Sequence, residues 1–197
     1  MLKDKLKNFN IILASASPRR HAFFKTIDLD FEIRLHPVDE VYSKDLKGHE
    51  ITDYLAKLKA EPFIENLECN DILITSDTIV WLNGKPVEKP KDEDDAFTMI
   101  KSLSDTTHEV VTSICFSQKS EQKIVNTITK VTFKALTDDE IWYYVKTYKP
   151  LDKAGAYGIQ EWIGAIGITS VEGSYNNVVG LPTHLLYETL NAIAEDA

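Results

Sequence analysis

Cysteine is scarce in this chain: 197 residues contain two, Cys69 and Cys115. Two cannot build a disulfide scaffold, and neither stands in a metal-ligand spacing. They read as reduced thiols of a cytoplasmic protein, with Cys115 in the core. Long apolar runs are missing, so nothing here is expected to span a bilayer. Met1–Phe9 is charged and polar and lacks the apolar segment of a signal peptide. Positive charge is the minority: 22 Lys and Arg stand against 31 Asp and Glu, a formal net charge of −9. That balance argues against nucleic acid or an acidic membrane as partner. An anionic small molecule stays open, provided bases cluster locally or a cation helps. Internal repeats and low-complexity tracts are absent as well. The apolar content of 43% is ordinary for a folded chain, and a chain of this length hides roughly 70% of its unfolded surface. A single domain over residues 1–197 is expected.

What is present centres on Thr75–Pro90, TSDTIVWLNGKPVEKP. Apolar runs flank Ser76-Asp77-Thr78, and Asn83-Gly84 reads as the turn of a β-hairpin. An aspartate inside a strand needs a reason, because a buried charge is costly unless paired. The hairpin can return Lys89 towards Asp77. That offers one carboxylate for a metal or a water and one ammonium for an anion. A buried Asp–Lys ion pair without chemistry is the equal alternative.

Near the start, the apolar run Asn10–Ala14 reads as a strand, followed at once by Ser15-Ala16-Ser17-Pro18-Arg19-Arg20. Ser17 suits an N-cap and Pro18 the first helical turn. The helix should reach about Ile27, with Phe23, Phe24 and Ile27 inward. Free amides at such a helix start attract anions, and arginine forks match phosphate oxygens. Two solvated arginines beside an ordinary cap are the bland reading. A P-loop is excluded, since its glycines and its Gly-Lys-Ser/Thr ending are missing.

Along the rest of the chain, Phe31–Leu35 alternates as a strand and Asp39-Glu40 lies in a loop. Ile51–Ala60 is helical, with Lys59 on a solvated face. Lys91–Leu103 is a helix whose first-turn acids complement the helix dipole. His108–Ser117 and Ile124–Ala135 are strands; His108 reads as a loop or strand-end residue. Thr137–Glu140 is a capping box for a helix striped by Ile141, Val145 and Tyr148. Pro150–Gln160, PLDKAGAYGIQ, has neither period and suits a functional loop as well as a solvated turn. Within it Gln160 carries a donor and an acceptor, as reading a base edge requires. Ile163–Val171 is expected to be a strand, Gly173–Pro182 a turn-rich connection, and Thr183–Glu195 a helix. Alternating elements followed by hairpins indicate an α/β fold on a mixed sheet.

SASPRR, LAKLKA, SDTIV with EKP, LDKAGAYGIQ and GSYNNVVGLP occur in this order. With them the chain resembles the Maf family of nucleoside triphosphate pyrophosphatases over nearly its whole length. The resemblance implies an elongated mixed β-sheet flanked by helices, in two lobes with a central cleft, of the Maf and inosine-triphosphatase type. It implies hydrolysis of a nucleoside triphosphate between the α- and β-phosphates, a divalent cation (Mg2+ or Mn2+), and a homodimer in many members. By the same resemblance Asp77 is the general base or the holder of metal and water, and Glu40 a second metal carboxylate. Val41-Tyr42 after Glu40 departs from the family's frequent Ser-Pro. Ser15, Arg19 and Arg20 match the phosphate-binding motif, and Lys59 and Lys89 the site lysines. Arg19, Thr78 and Gln160 match the branch acting on dTTP and UTP; another branch prefers 7-methyl-GTP. Modified pyrimidine nucleotides, and a non-catalytic nucleotide-binding regulator of cell division, are the rival expectations.

Overall fold

The computed structural model describes residues 1–196. Its contacts group the chain into two compact units. The first takes Met1–Asp77, Thr112–Thr127 and the residues from Gly180 on; the second takes Thr78–Val111 and Ile128–Val179.

In the first unit, the run Asn10–Leu13 forms β1, and its last three residues are buried. Such a strand is covered on both faces, as its unbroken apolar run requires. It pairs in parallel with β2 (Glu32–Ile33) and with the first half of β3 (Asp71–Leu82). The period of two then divides the side chains. Ile11, Leu13, Ile72 and Ile74 point to α1 (Leu2–Lys5), α2 (Pro18–Thr26) and α8 (Thr183–Glu195), in a core with Phe24, Leu186 and Leu190. Ile12 and Leu73 point the other way, to Ala60 of α3 (His49–Ile64). Only two residues of the expected strand Phe31–Leu35 pair, and both are exposed. β2 is the edge of the sheet and pairs with β1 alone.

In the second unit, β3 continues to Leu82 and turns through Asn83 and Gly84 into β4 (Lys85–Val87). Both turn residues have positive φ, 50° and 77°, which is what a two-residue hairpin turn needs and what Asn-Gly tolerates. Helices α4 (Glu93–Leu103) and α5 (Asp138–Tyr148) pack with the first half of β5 (Thr107–Ser117) and the later half of β6 (Gln122–Phe133) around Ile100, Leu103, Val131, Phe133 and Tyr144. Strands β3, β5 and β6 each run through both units. The whole is one seven-stranded mixed sheet, ordered β2-β1-β3-β5-β6-β7, with β4 on β3 and β7 (Ile168–Glu172) antiparallel to β6.

Three expectations need correction. Trp162–Gly167 is a helix, α6, and only Ile168–Glu172 is strand. An apolar run without alternation does not fix a period; here Ile163, Gly164 and Gly167 are buried, at helical spacing. The connection after Gly173 contains a short helix, α7 (Tyr175–Val179), anchored by the Asn177 side chain, whose amide donates to Val110 O and Thr129 Oγ1 at 2.9 Å each. The inward stripe of α5 is Ile141, Tyr144 and Val145, while Tyr148 is 38% exposed. Tyr148 is the last residue of the helix, and its ring stacks on Tyr144 at the end of that stripe.

Candidate active site

Alternation along β3 puts Leu73, Thr75 and Asp77 on the face covered by α3. Thr75 Oγ1 donates to Ala56 O at 2.6 Å, which seats the helix on the strand. One turn further along the helix, the Lys59 ammonium donates to Asp77 Oδ1 at 2.6 Å and reaches Glu40 Oε1 at 3.0 Å. Asp77 is only 7% exposed. A carboxylate so buried is tolerable because an ammonium meets it directly. Glu40 comes from the loop before α3 and its side chain is 39% exposed. The reading of Lys59 as a solvated face is therefore overturned: it is the ion partner of two carboxylates.

Arg20 completes this cluster from the opposite face of the sheet. Its Nη1 donates to Ser76 O at 2.8 Å and its Nε to Gly180 O at 2.9 Å. It thus grips the backbone immediately before Asp77 and ties it to the loop that opens α8. Desolvation lowers the pKa of Arg20 from its ordinary value, while the charges of Asp77 and Glu40 oppose that shift. Arg19, half-buried, is close enough to act on Arg20 electrostatically. Ser17 occupies the N-cap position of α2 with Pro18 following, as expected, but its side chain caps nothing. Instead Ser15 Oγ accepts from Ser17 N at 3.3 Å. His21 Nε2 donates to the Ser15 carbonyl across 2.6 Å. His21 and Gly180 escaped the sequence reading; the only signals were a histidine one turn past the N-cap and the glycine of GSYNNVVGLP.

The first unit therefore brings together Arg20, Glu40, Lys59 and Asp77, with Arg19 close enough to act on Arg20 and Ser15 in the loop that opens α2. Its donor set contains two carboxylates converging on one cationic point, with oxygen ligands of the kind that suits Mg2+ or Mn2+. That donor set fits a divalent cation in kind. Three cations to two anions leave the cluster positive within an acidic chain.

In the second unit, Thr78 is half-buried in β3, Lys89 is exposed two residues beyond β4, and Gln160 is exposed. Lys153 is buried and committed: its ammonium meets Asp152 Oδ1 at 2.8 Å and Glu161 Oε1 at 3.2 Å. His108 is a strand-end residue, as expected, and only 2% exposed. Its Nε2 lies 2.7 Å from the Tyr157 hydroxyl and its ring stacks on Phe133. Burial lowers its pKa to about 4.

A mixed sheet flanked by helices, with a carboxylate and guanidinium cluster at its strands, defines an α/β protein of a known kind. The solved structure of the Staphylococcus aureus Ham1 protein has this fold: the TM-score is 0.54 at 22% identity, over 93% of this chain and 99% of that one. The family model described as Maf-like protein matches residues 10–193, and the chain belongs to the Maf family. A Flavobacterium johnsoniae protein named dTTP/UTP pyrophosphatase is 58% identical over 193 residues, 98% of this chain and all of the relative. A protein of the same name from Flavobacterium psychrophilum is 59% identical, over 95% of this chain and 96% of its own. A third, from Christiangramia forsetii, is 57% identical over 96% and 97%.

Proposed function

We propose that this protein is a nucleoside triphosphate pyrophosphatase acting on dTTP and UTP. Water adds across the bond between the α- and β-phosphates, and the products are the monophosphate and pyrophosphate. One observation carries the reading: Glu40 and Asp77 converge on the Lys59 ammonium beside Arg20. The names borne by relatives more than half identical over nearly the whole chain support it.

Ser15, Arg19 and Arg20 bind phosphate oxygens, with the amides that open α2. Arg20 also holds the strand at Ser76, so the same side chain positions Asp77. Asp77 accepts or steers the proton of the attacking water. Lys59 orients Asp77, and it shields two carboxylates from the incoming polyanion. When bound, a divalent cation supplies charge neutralisation at phosphate oxygens, and Glu40 and Asp77 are the residues that would hold it. Most of the rate then comes from positioning and charge stabilisation. In the second unit, Lys89 contributes charge, and Thr78 and Gln160 read the pyrimidine. The reading implies a reducing cytoplasm as the compartment and, by family likeness, a homodimer. No helix among the described residues is long and apolar enough to cross a membrane.

The test is a screen of the purified protein against canonical and modified nucleoside triphosphates with Mg2+ or Mn2+. Pyrophosphate and monophosphate are followed separately. Pyrophosphate with dTMP or UMP, and little turnover of 7-methyl-GTP, is expected. Free phosphate with a diphosphate means that a different bond is cut, and nucleotide binding without turnover means a regulator.

A further inference from the structure

Gln160 sits in a tight turn. Glu161 N donates to Gly158 O at 3.0 Å, which closes Gly158–Glu161 as a β-turn with Gln160 at its third position. Both ends of that turn are held by a single side-chain atom. The Tyr144 hydroxyl accepts from Gly158 N at 3.0 Å and donates to Glu161 Oε2. The other oxygen of Glu161 takes the Lys153 ammonium at 3.2 Å. Tyr144 itself is fully buried on α5 and its ring stacks on Tyr148. The packing is close: a Cβ at Gly158 would lie 2.8 Å from Glu161 Cδ and 3.1 Å from Gln160 Nε2. Gly158 therefore has to be glycine for the Glu161 carboxylate and the Gln160 amide to lie where they do.

We propose that Tyr144 is a positioning residue for base selection. Its hydroxyl fixes the turn that presents Gln160, and so fixes where the Gln160 amide stands against the pyrimidine. The proposal rests on the reading above that Gln160 reads the base. Tyr144 touches no substrate; it acts through the turn. Tyrosine is required in place of phenylalanine because the hydroxyl serves as acceptor and donor at once. Its phenol stays protonated: burial, then the bond to Glu161, raise its pKa.

The experiment compares wild type, Tyr144→Phe, Gln160→Ala and the double variant by kcat/KM on UTP and on CTP. The UTP-to-CTP ratio is the readout. It cancels the amount of folded enzyme, so a merely structural role does not move it. Losing a hydrogen bond to a charged group is worth about tenfold. Tyr144→Phe is expected to lower the ratio by about that factor, and the double variant to match Gln160→Ala, because both act through one residue. If Gln160→Ala collapses the ratio and Tyr144→Phe leaves it intact, Tyr144 has no positioning role while the reading of Gln160 stands. If Gln160→Ala leaves the ratio intact, the base-reading role itself fails, and the proposal with it. Should Tyr144→Phe not fold, Glu161→Gln loosens the same turn from its other end, and the same outcomes apply.

Discussion

Asp77 and His108 are both buried polar residues of strands, and opposite chemistry holds them there. Asp77 is buried against the Lys59 ammonium, 2.6 Å away. Asp77→Asn keeps the shape and removes the carboxylate proposed above as proton acceptor. Turnover of dTTP and UTP should fall at least about a hundredfold, while nucleotide binding, measured by calorimetry, persists. Near-normal turnover would remove Asp77 from the mechanism. His108 instead is held neutral by burial, against Phe133 and Tyr157. Its pKa in the fold, about 4, lies below the ordinary 6.5. The unfolded chain thus binds a proton that the fold refuses. Stability from this residue is intact above pH 6.5 and drains away as the pH falls towards 4. The loss is roughly 3 kcal/mol for a shift of this size. Urea unfolding at a series of pH values should show wild type falling by about that amount more than His108→Gln. Parallel slopes for the two proteins would exclude His108 as the acid-sensitive residue.

At the scale of elements, the capping box of α5 is complete. Thr137 Oγ1 accepts from Glu140 N at 3.2 Å, and Glu140 Oε2 accepts from Thr137 N at 2.8 Å. Lys134 adds an ion pair to Glu140 at 3.0 Å. This helix carries Tyr144, so its start bears on the Gly158–Glu161 turn. Thr137→Ala should destabilise the protein by about 1 kcal/mol, read as a lower urea midpoint with an unchanged slope. No change in midpoint would mean that packing by Ile141 and Val145 alone holds the helix. The box was legible in Thr-Asp-Asp-Glu because cap chemistry is local. Helix α3 shows the converse. Its apolar stripe announced a helix, but Lys59 read as solvated, because the strand and loop it meets lie far away in sequence.

For the whole molecule, three long strands pass through both compact units. We expect one cooperative unfolding transition, as the reading of the chain as a single domain implies. All three tryptophans, Trp81, Trp142 and Trp162, lie in the second unit, so their fluorescence reports that unit, while far-ultraviolet circular dichroism reports both. Coincident urea curves are expected; separated curves would mean two domains.

Local chemistry determined much of this protein in advance. The Asn-Gly hairpin turn, the Ser-Pro start of α2, the capping box and the unbroken strand β1 each depend on neighbours within a few residues. The order of five short motifs sufficed to place the chain in its family and implied the roles of Asp77, Glu40 and the arginines. Only the tertiary structure decided which ammonium meets Asp77, that Arg20 grips the backbone beside it, and that Tyr144 pins the turn of Gln160. Those contacts join residues from 14 to 160 positions apart. Periodicity reports which face a side chain takes, but not what stands opposite, because that partner is chosen by the packing of the sheet.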